Sequence, residues 1–329
     1  MILFAAGSGA SLIGDSLNDI IVTGGGGSYV DARSGNDYID ARSSNYASGT
    51  ILGGLGDDII LFGSEVGTDF GAPPNGIFAA DVDGGSGTDR LTVEVGVTRW
   101  PYQGLEHRFG DGPEFDFGSS YSDILAGISS GGVHTMITAN YAWWNGSAVS
   151  WIYARGIELY EYRGRVGNDL FVSWNNNLAA AYGGDGSDAL FADWSTTTAA
   201  IVWNTTVNND VERTLGNGVV VQSIERLMLK TGSGNDNIVM GDHSDHVETG
   251  AGNDVIITGG GSNYVDAGSG NDVIDARSSN YASGMVPAVL ICSPRWTGPT
   301  CSPCRPNPMS SPANTLWAEA RPRGTRLSR

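Results

Sequence analysis

The sequence predicts an all-β chain wound as a solenoid, and three observations carry that prediction. From Thr231 to Ala276 it reads TGSGNDNIV, MGDHSDHVE, TGAGNDVII, TGGGSNYVD, AGSGNDVIDA, which places Asp236, Asp245, Asp254, Asn263 and Asp272 at a strict nine-residue interval. Two residues after each stands one aliphatic: Ile238, Val247, Ile256, Val265 or Ile274. The third observation is composition. The 329 residues include 49 glycines, only 16 % are charged, and aspartate far outnumbers glutamate. A six-residue Gly/Asp turn followed by a three-residue extended piece with one inward aliphatic fits that period. Helix does not, since glycine at every turn would cost about 1 kcal/mol each relative to alanine.

The elements follow in chain order. Residues 1–63 form a first repeat block, where Asp19, Ser28 and Asp37 are followed by Ile21, Val30 and Ile39, and GGLGDDIIL at 53–61 supplies Asp58. Residues 64–230 are a β-rich spacer holding most of the Trp and Tyr, with single turns GGSGTDRLT at 84–92 (Gly84, Gly87, Asp89), GRVGNDLFV at 164–172 (Asp169) and GGDGSDALF at 183–191 (Gly183, Gly186, Asp188). Ile157-Glu158 precedes Asp169 as Ile224-Glu225 precedes Asp236, so the two glutamates read as structural markers of a longer repeat. Residues 89–230 fit either elaborated coils of the same solenoid or a small inserted β domain, since the aromatic stretch 98–162 has no clean period. Residues 231–284 form the second block, in which 253–284 matches 18–49 at 26 of 32 positions. Residues 285–329 change character: eight of the twelve prolines, all three cysteines, six arginines and one acid. This tail is expected to be disordered or the product of a frame change, and Cys301 and Cys304, spaced like half a zinc site but with no second pair or His partner, read as accidental cysteines in it.

Charge narrows the function. The first 284 residues carry 35 acids against 12 bases, whereas the tail is basic. A pI near 4.4 without basic clusters excludes a nucleic-acid surface. No run approaches the ~18 to 20 apolar residues of a membrane span, and the first residues lack the basic n-region of a cleavable signal peptide.

Glycine and aspartate at these spacings point to a hard cation. Ca²⁺ takes six to eight oxygens at ~2.3 to 2.6 Å from carboxylates and backbone carbonyls, and glycines let the backbone aim successive carbonyls at one centre. Two nonapeptides make one coil of 18 residues, so Asp236, Asp254 and Asp272 fall in one file with Asp245 and Asn263 opposite. Carboxylates stacked at about one strand spacing, ~4.8 Å, repel unless a cation lies between them. The candidate metal residues are therefore Asp19, Asp37, Asp58, Asp89, Asp169, Asp188, Asp236, Asp245, Asp254, Asn263 and Asp272. With them go the turn glycines Gly84, Gly87, Gly183, Gly186, Gly232, Gly234, Gly250, Gly252, Gly268 and Gly270.

These segments resemble the RTX, or haemolysin-type calcium-binding, nonapeptide GGxGxDxUx. The resemblance implies a right-handed parallel β-roll with several Ca²⁺ ions held between successive turns, export through a type I secretion machinery without a cleaved signal, and folding in the extracellular space. It departs from that pattern at Ser28, His243 and Asn263, and in a tail unlike the family's C-terminal export signal. The function expected is that of a secreted calcium-folded repeat protein with a structural, adhesive or export-assisting role. The alternative is a non-catalytic fragment of a larger secreted RTX protease, lipase or haemolysin.

No enzyme is expected in this chain. There is no His-Glu-x-x-His. Gly127-Ile-Ser129-Ser-Gly131, with His134 nearby, satisfies G-x-S-x-G but reads as a loop in a Gly/Ser-rich spacer. His243 and His246 fall in a degenerate turn. Trp143, Trp144 and Trp151 are either core or a carbohydrate-binding face, and any such ligand is open.

Overall fold

A unit that turns for six residues and extends for three cannot bury its single inward aliphatic alone. It needs the same residue above and below it, and a second sheet across from it. The computed structural model shows this arrangement for residues 1–276, apart from residues 6, 8, 25–26, 44–48, 65–76, 95–101, 110–113, 132–134, 144–145, 165 and 175. The tail with its cysteines, His134, Trp144 and the side chains of Trp143 and Trp151 lie outside the described residues.

The architecture is a parallel β-roll. One sheet runs in the order Ile2–Ala5, Ile20–Thr23, Tyr38–Ser43, Ile59–Ser64, Arg90–Glu94, Leu159–Arg163, Leu178–Tyr182 and Val220–Gln222, all parallel, with Arg213–Thr214 added antiparallel at the edge. Facing it, Ser11–Ile13, Ser28–Asp31, Gly49–Leu55 and Ile77–Ser86 stack in parallel, followed by Gly146–Arg155. Farther along, Leu170–Ser173, Ala189–Asp193, Arg226–Lys230, His246–Glu248 and Tyr264–Asp266 form one parallel sheet, and Val202–Asn204, Asn237–Val239, Val255–Ile257 and Val273–Asp275 another. One hydrophobic cluster runs the whole length, from Ile21, Ile39, Ile60 and Leu91 to Ile238, Ile256 and Ile274. Each coil of the regular run contributes only two such aliphatics, worth roughly 1.5–3 kcal/mol apiece when fully buried.

The middle of the chain combines coils of the roll with an excursion from it. Residues 77–94 and 159–193 are coils of the roll, while Tyr102–Phe109, Thr135–Trp143 and Gly146–Arg155 form antiparallel neighbours on an excursion from it. That excursion carries the one helix among the described residues, Tyr121–Gly131. Ser120 caps it: the Asp123 N–H donates to Ser120 Oγ (3.2 Å), and the Ser120 hydroxyl donates to Asp123 Oδ2 (2.6 Å). Tyr121, Ile124 and Ile128 then cover the outside of the roll over Leu170, Val172, Phe191 and Met228. The G-x-S-x-G pattern is thus not a loop. It forms the last turns of this helix, and the Ser129 hydroxyl donates back to the Leu125 carbonyl (2.8 Å). A nucleophile elbow instead places its serine between a strand and the start of a helix.

Candidate metal centre

Each candidate aspartate stands immediately before a strand, at the inner corner of the turn, and its backbone N–H points along the roll to the next coil. Asp19 donates to Asp37 Oδ1 (2.7 Å), Asp37 to Asp58 Oδ1 (2.8 Å) and Asp58 to Asp89 Oδ1 (2.9 Å). Asp89 donates to Glu158 Oε2 (2.9 Å). Farther along, Asp169 donates to Asp188 Oδ1 (2.8 Å) and Asp188 to Glu225 Oε2 (2.8 Å). In the last block Asp236 donates to Asp254 Oδ1 (2.8 Å), Asp254 to Asp272 Oδ1 (3.0 Å), and Asp245 to Asn263 Oδ1 (2.9 Å). Glu158 and Glu225 are therefore members of the ladder, occupying the aspartate's place where the chain returns from an excursion.

At several rungs this ladder uses one carboxylate oxygen and leaves the other. Oδ2 of Asp37, Asp58, Asp89, Asp188 and Asp245 is buried with no hydrogen-bond partner, and Asp58, Asp89 and Asp188 are at most 1 % exposed. Buried anions in this condition are costly, and the carboxyls respond. Burial, with neighbouring acids adding to it, pushes Asp58 up to about 7 and Asp188 to about 8. Burial raises Asp245 to about 8, and it raises Asp37, Asp89, Asp236 and Asp254 as well. Asp19 goes the other way: burial works against it, but the Met1 ammonium and the Asp15 N–H hold its carboxyl below the usual range.

The glycines at the start of the turns leave room beside the second carboxylate oxygen. A methyl group on Gly53 would collide with both Asp58 Oδ2 and the Gly84 carbonyl oxygen. On Gly84 it would meet Asp89 Oδ2 and the Gly156 carbonyl, on Gly164 Asp169 Oδ2 and the Gly183 carbonyl, and on Gly183 Asp188 Oδ2 and the Ser223 carbonyl. In each case the carboxylate and carbonyl oxygens lie no more than about 5 Å apart, the separation one cation spans at the ~2.3–2.6 Å of calcium–oxygen contacts. The residues thus fit Ca²⁺, held between an aspartate and the main chain of the following coil. Among the described residues no three His, Cys, Asp or Glu side chains converge, so such sites depend on backbone carbonyls.

The remaining predicted glycines sit where coils touch. A Cβ on Gly87, Gly186, Gly250, Gly252, Gly268 or Gly270 would strike the carbonyl of Gly56, Gly167, Gly232, Gly234, Gly250 or Gly252 respectively, and on Gly232 and Gly234 those of Thr197 and Ala199. Gly252 (φ 145°) and Gly270 (φ 149°) also hold backbone angles that other residues avoid.

A second ladder went unread in the sequence. The residue before each aspartate accepts a backbone N–H from the following coil, in the opposite direction. Asn36 donates to Asn18 Oδ1 (2.9 Å), Asp57 to Asn36 Oδ1 (3.1 Å), Thr88 to Asp57 Oδ1 (2.8 Å), Asn253 to Asn235 Oδ1 (2.8 Å) and Asn271 to Asn253 Oδ1 (2.8 Å). Its signal was the polar residue at the fifth position of nearly every unit.

The histidines do other work. His246 is sandwiched between Tyr121 (3.8 Å between ring centroids) and Tyr264 (4.3 Å) and contacts Glu248 Oε1 through Nε2 (2.9 Å). His243 lies edge-on to Phe117. Asn263, the neutral member of its file, spends its amide on the carbonyls of Thr258 and Gly260, both at 2.8 Å.

Residues 13–45 and 240–274 match the RTX calcium-binding nonapeptide repeat family, in four copies. The chain carries RTX calcium-binding repeats. The parallel β-roll agrees with that family, and the family implies calcium. The RTX-type turns at Asp58, Asp89, Asp169 and Asp188 lie outside the matched segments and share their geometry. No curated protein matches the chain at a significant level. No helix among the described residues is long and apolar enough to cross a membrane.

Proposed function

We propose that this is a secreted protein whose roll folds around calcium outside the cell, serving a structural, adhesive or export-assisting role and acting without catalysis of its own. One observation supports this most: the buried residues Asp58, Asp89 and Asp188 each keep one carboxylate oxygen without a partner beside a main-chain carbonyl. At the low calcium of a cytosol those acids repel one another and the few aliphatics per coil do not compensate, so the chain stays unfolded for export by a type I machinery. At ~10⁻⁴ to 10⁻³ M calcium, the range of extracellular modules, binding and folding become one event. Far-UV circular dichroism during a calcium titration tests it. Gain of β signal with a midpoint in that range is expected, and a spectrum indifferent to calcium and to chelator would overturn it.

A further inference from the structure

The first position of the turn is where otherwise similar units differ. It points inward, next to the free aspartate oxygen. Glycine stands there at Gly53, Gly84 and Gly183, and the space it leaves is bounded by Oδ2 of Asp58, Asp89 or Asp188 and by the carbonyl of Gly84, Gly156 or Ser223. Threonine stands there at Thr231, which is 1 % exposed. Its hydroxyl hydrogen-bonds Asp236 Oδ2 and lies 3.1 Å from the Thr249 carbonyl oxygen. These are the two kinds of oxygen that face each other across the gap in the glycine turns, and here a hydroxyl links them. One coil on, Thr249 stands at the same position and donates to the Ala267 carbonyl (3.2 Å).

We infer that the first residue of each turn decides whether that turn takes a cation: glycine leaves an open site at Asp58, Asp89 and Asp188, whereas the Thr231 hydroxyl closes the one at Asp236. This rests on the calcium reading above and sharpens it, because it assigns metal to interrupted turns in the middle of the chain and withholds it from a regular one. The chemistry follows from the oxygens. A hydroxyl donates one proton to the carboxylate and so meets its need without charge, but it fills the volume a cation would use. The glycine turns have nothing to offer the carboxylate, and a hard divalent cation supplies what is missing.

The test is calcium stoichiometry of the full chain by equilibrium dialysis, with circular dichroism confirming the fold of each variant. Asp188→Asn is expected to bind one ion fewer than the parent and Asp236→Asn the same number. Thr231→Gly should bind one ion more, and Thr231→Ser, which keeps the hydroxyl, no more than the parent. Loss of an ion in Asp236→Asn equal to that in Asp188→Asn, or an unchanged count in Thr231→Gly, overturns the inference while leaving calcium binding intact. A parent chain that takes up no calcium overturns the calcium reading itself and this inference with it.

Discussion

The regular run from Thr231 to Asp275 and the interrupted run from Asp58 to Glu225 build the same ladder in different ways. In the first, successive members are 18 residues apart. In the second the gaps are 31, 69, 19 and 37 residues. The hydrogen bond between coils nonetheless keeps the same form and nearly the same length. Coil length is therefore free, and what recurs is a side-chain oxygen immediately before a strand that accepts the N–H of the preceding rung. The two longest of these gaps return on glutamate, at Glu158 and Glu225. The regular run closes its first turn with threonine, while the interrupted run leaves glycine there.

Chelation should separate the two runs most sharply. On removing calcium, hydrogen exchange is expected to rise first in Arg90–Glu94, Leu159–Arg163 and Ala189–Asp193 and later in Asn237–Val239. Uniform exchange throughout would erase the distinction. Next in size is core truncation. Ile60→Ala and Ile256→Ala, one from each run, should each cost about 2–5 kcal/mol by chemical denaturation in saturating calcium, since both side chains are fully buried.

Acidity offers a third comparison. Asp58, Asp188 and Asp245 have folded-state values raised to about 7 and 8, against ~4 in an unfolded chain. Between those limits the calcium-free roll binds more protons than the unfolded chain, so its stability is present below about pH 4 and lost as pH rises through 7 to 8. Without calcium, the far-UV β signal should fall from pH 5 to pH 8. With calcium the trend should reverse, because the metal needs the carboxylates deprotonated.

Smaller effects test the ladders singly. Glu225→Ala strands the Asp188 N–H and should cost about 1–3 kcal/mol, whereas Asn253→Ala, whose bonds are exposed, should cost about 0.5–1.5 kcal/mol.

Much of this was legible because a solenoid repeats its physics along the chain. A nine-residue period places the aspartate and the aliphatic directly, and the strands holding Ile21, Ile39, Ile256 and Ile274 follow from it. The helix Tyr121–Gly131 was hidden because its Gly127, Ser129, Ser130 and Gly131 are poor helix formers. It forms because Tyr121, Ile124 and Ile128 find an apolar outer surface at Leu170, Phe191 and Met228, a surface contributed by strands 40 to 100 residues away in the sequence. The role of Glu158 and Glu225 was half visible: their shared context marked them as repeat members, but a ladder bond to Asp89 or Asp188 depends on where a long excursion returns. The asparagine ladder was missed because position five looks permissive when only composition is compared.

The excursion between Glu94 and Leu159 has a consequence in polymer terms. Loop-closure cost grows only with the logarithm of length, about 0.6 kcal/mol per doubling. Going from an 18-residue coil to the 69-residue interval between Asp89 and Glu158 is a little under two doublings, an entropic penalty of about 1 kcal/mol. A single returning hydrogen bond of ordinary strength offsets most of that. The corner before Glu158 is thus a splice point, where a long segment rejoins the roll at little entropic cost.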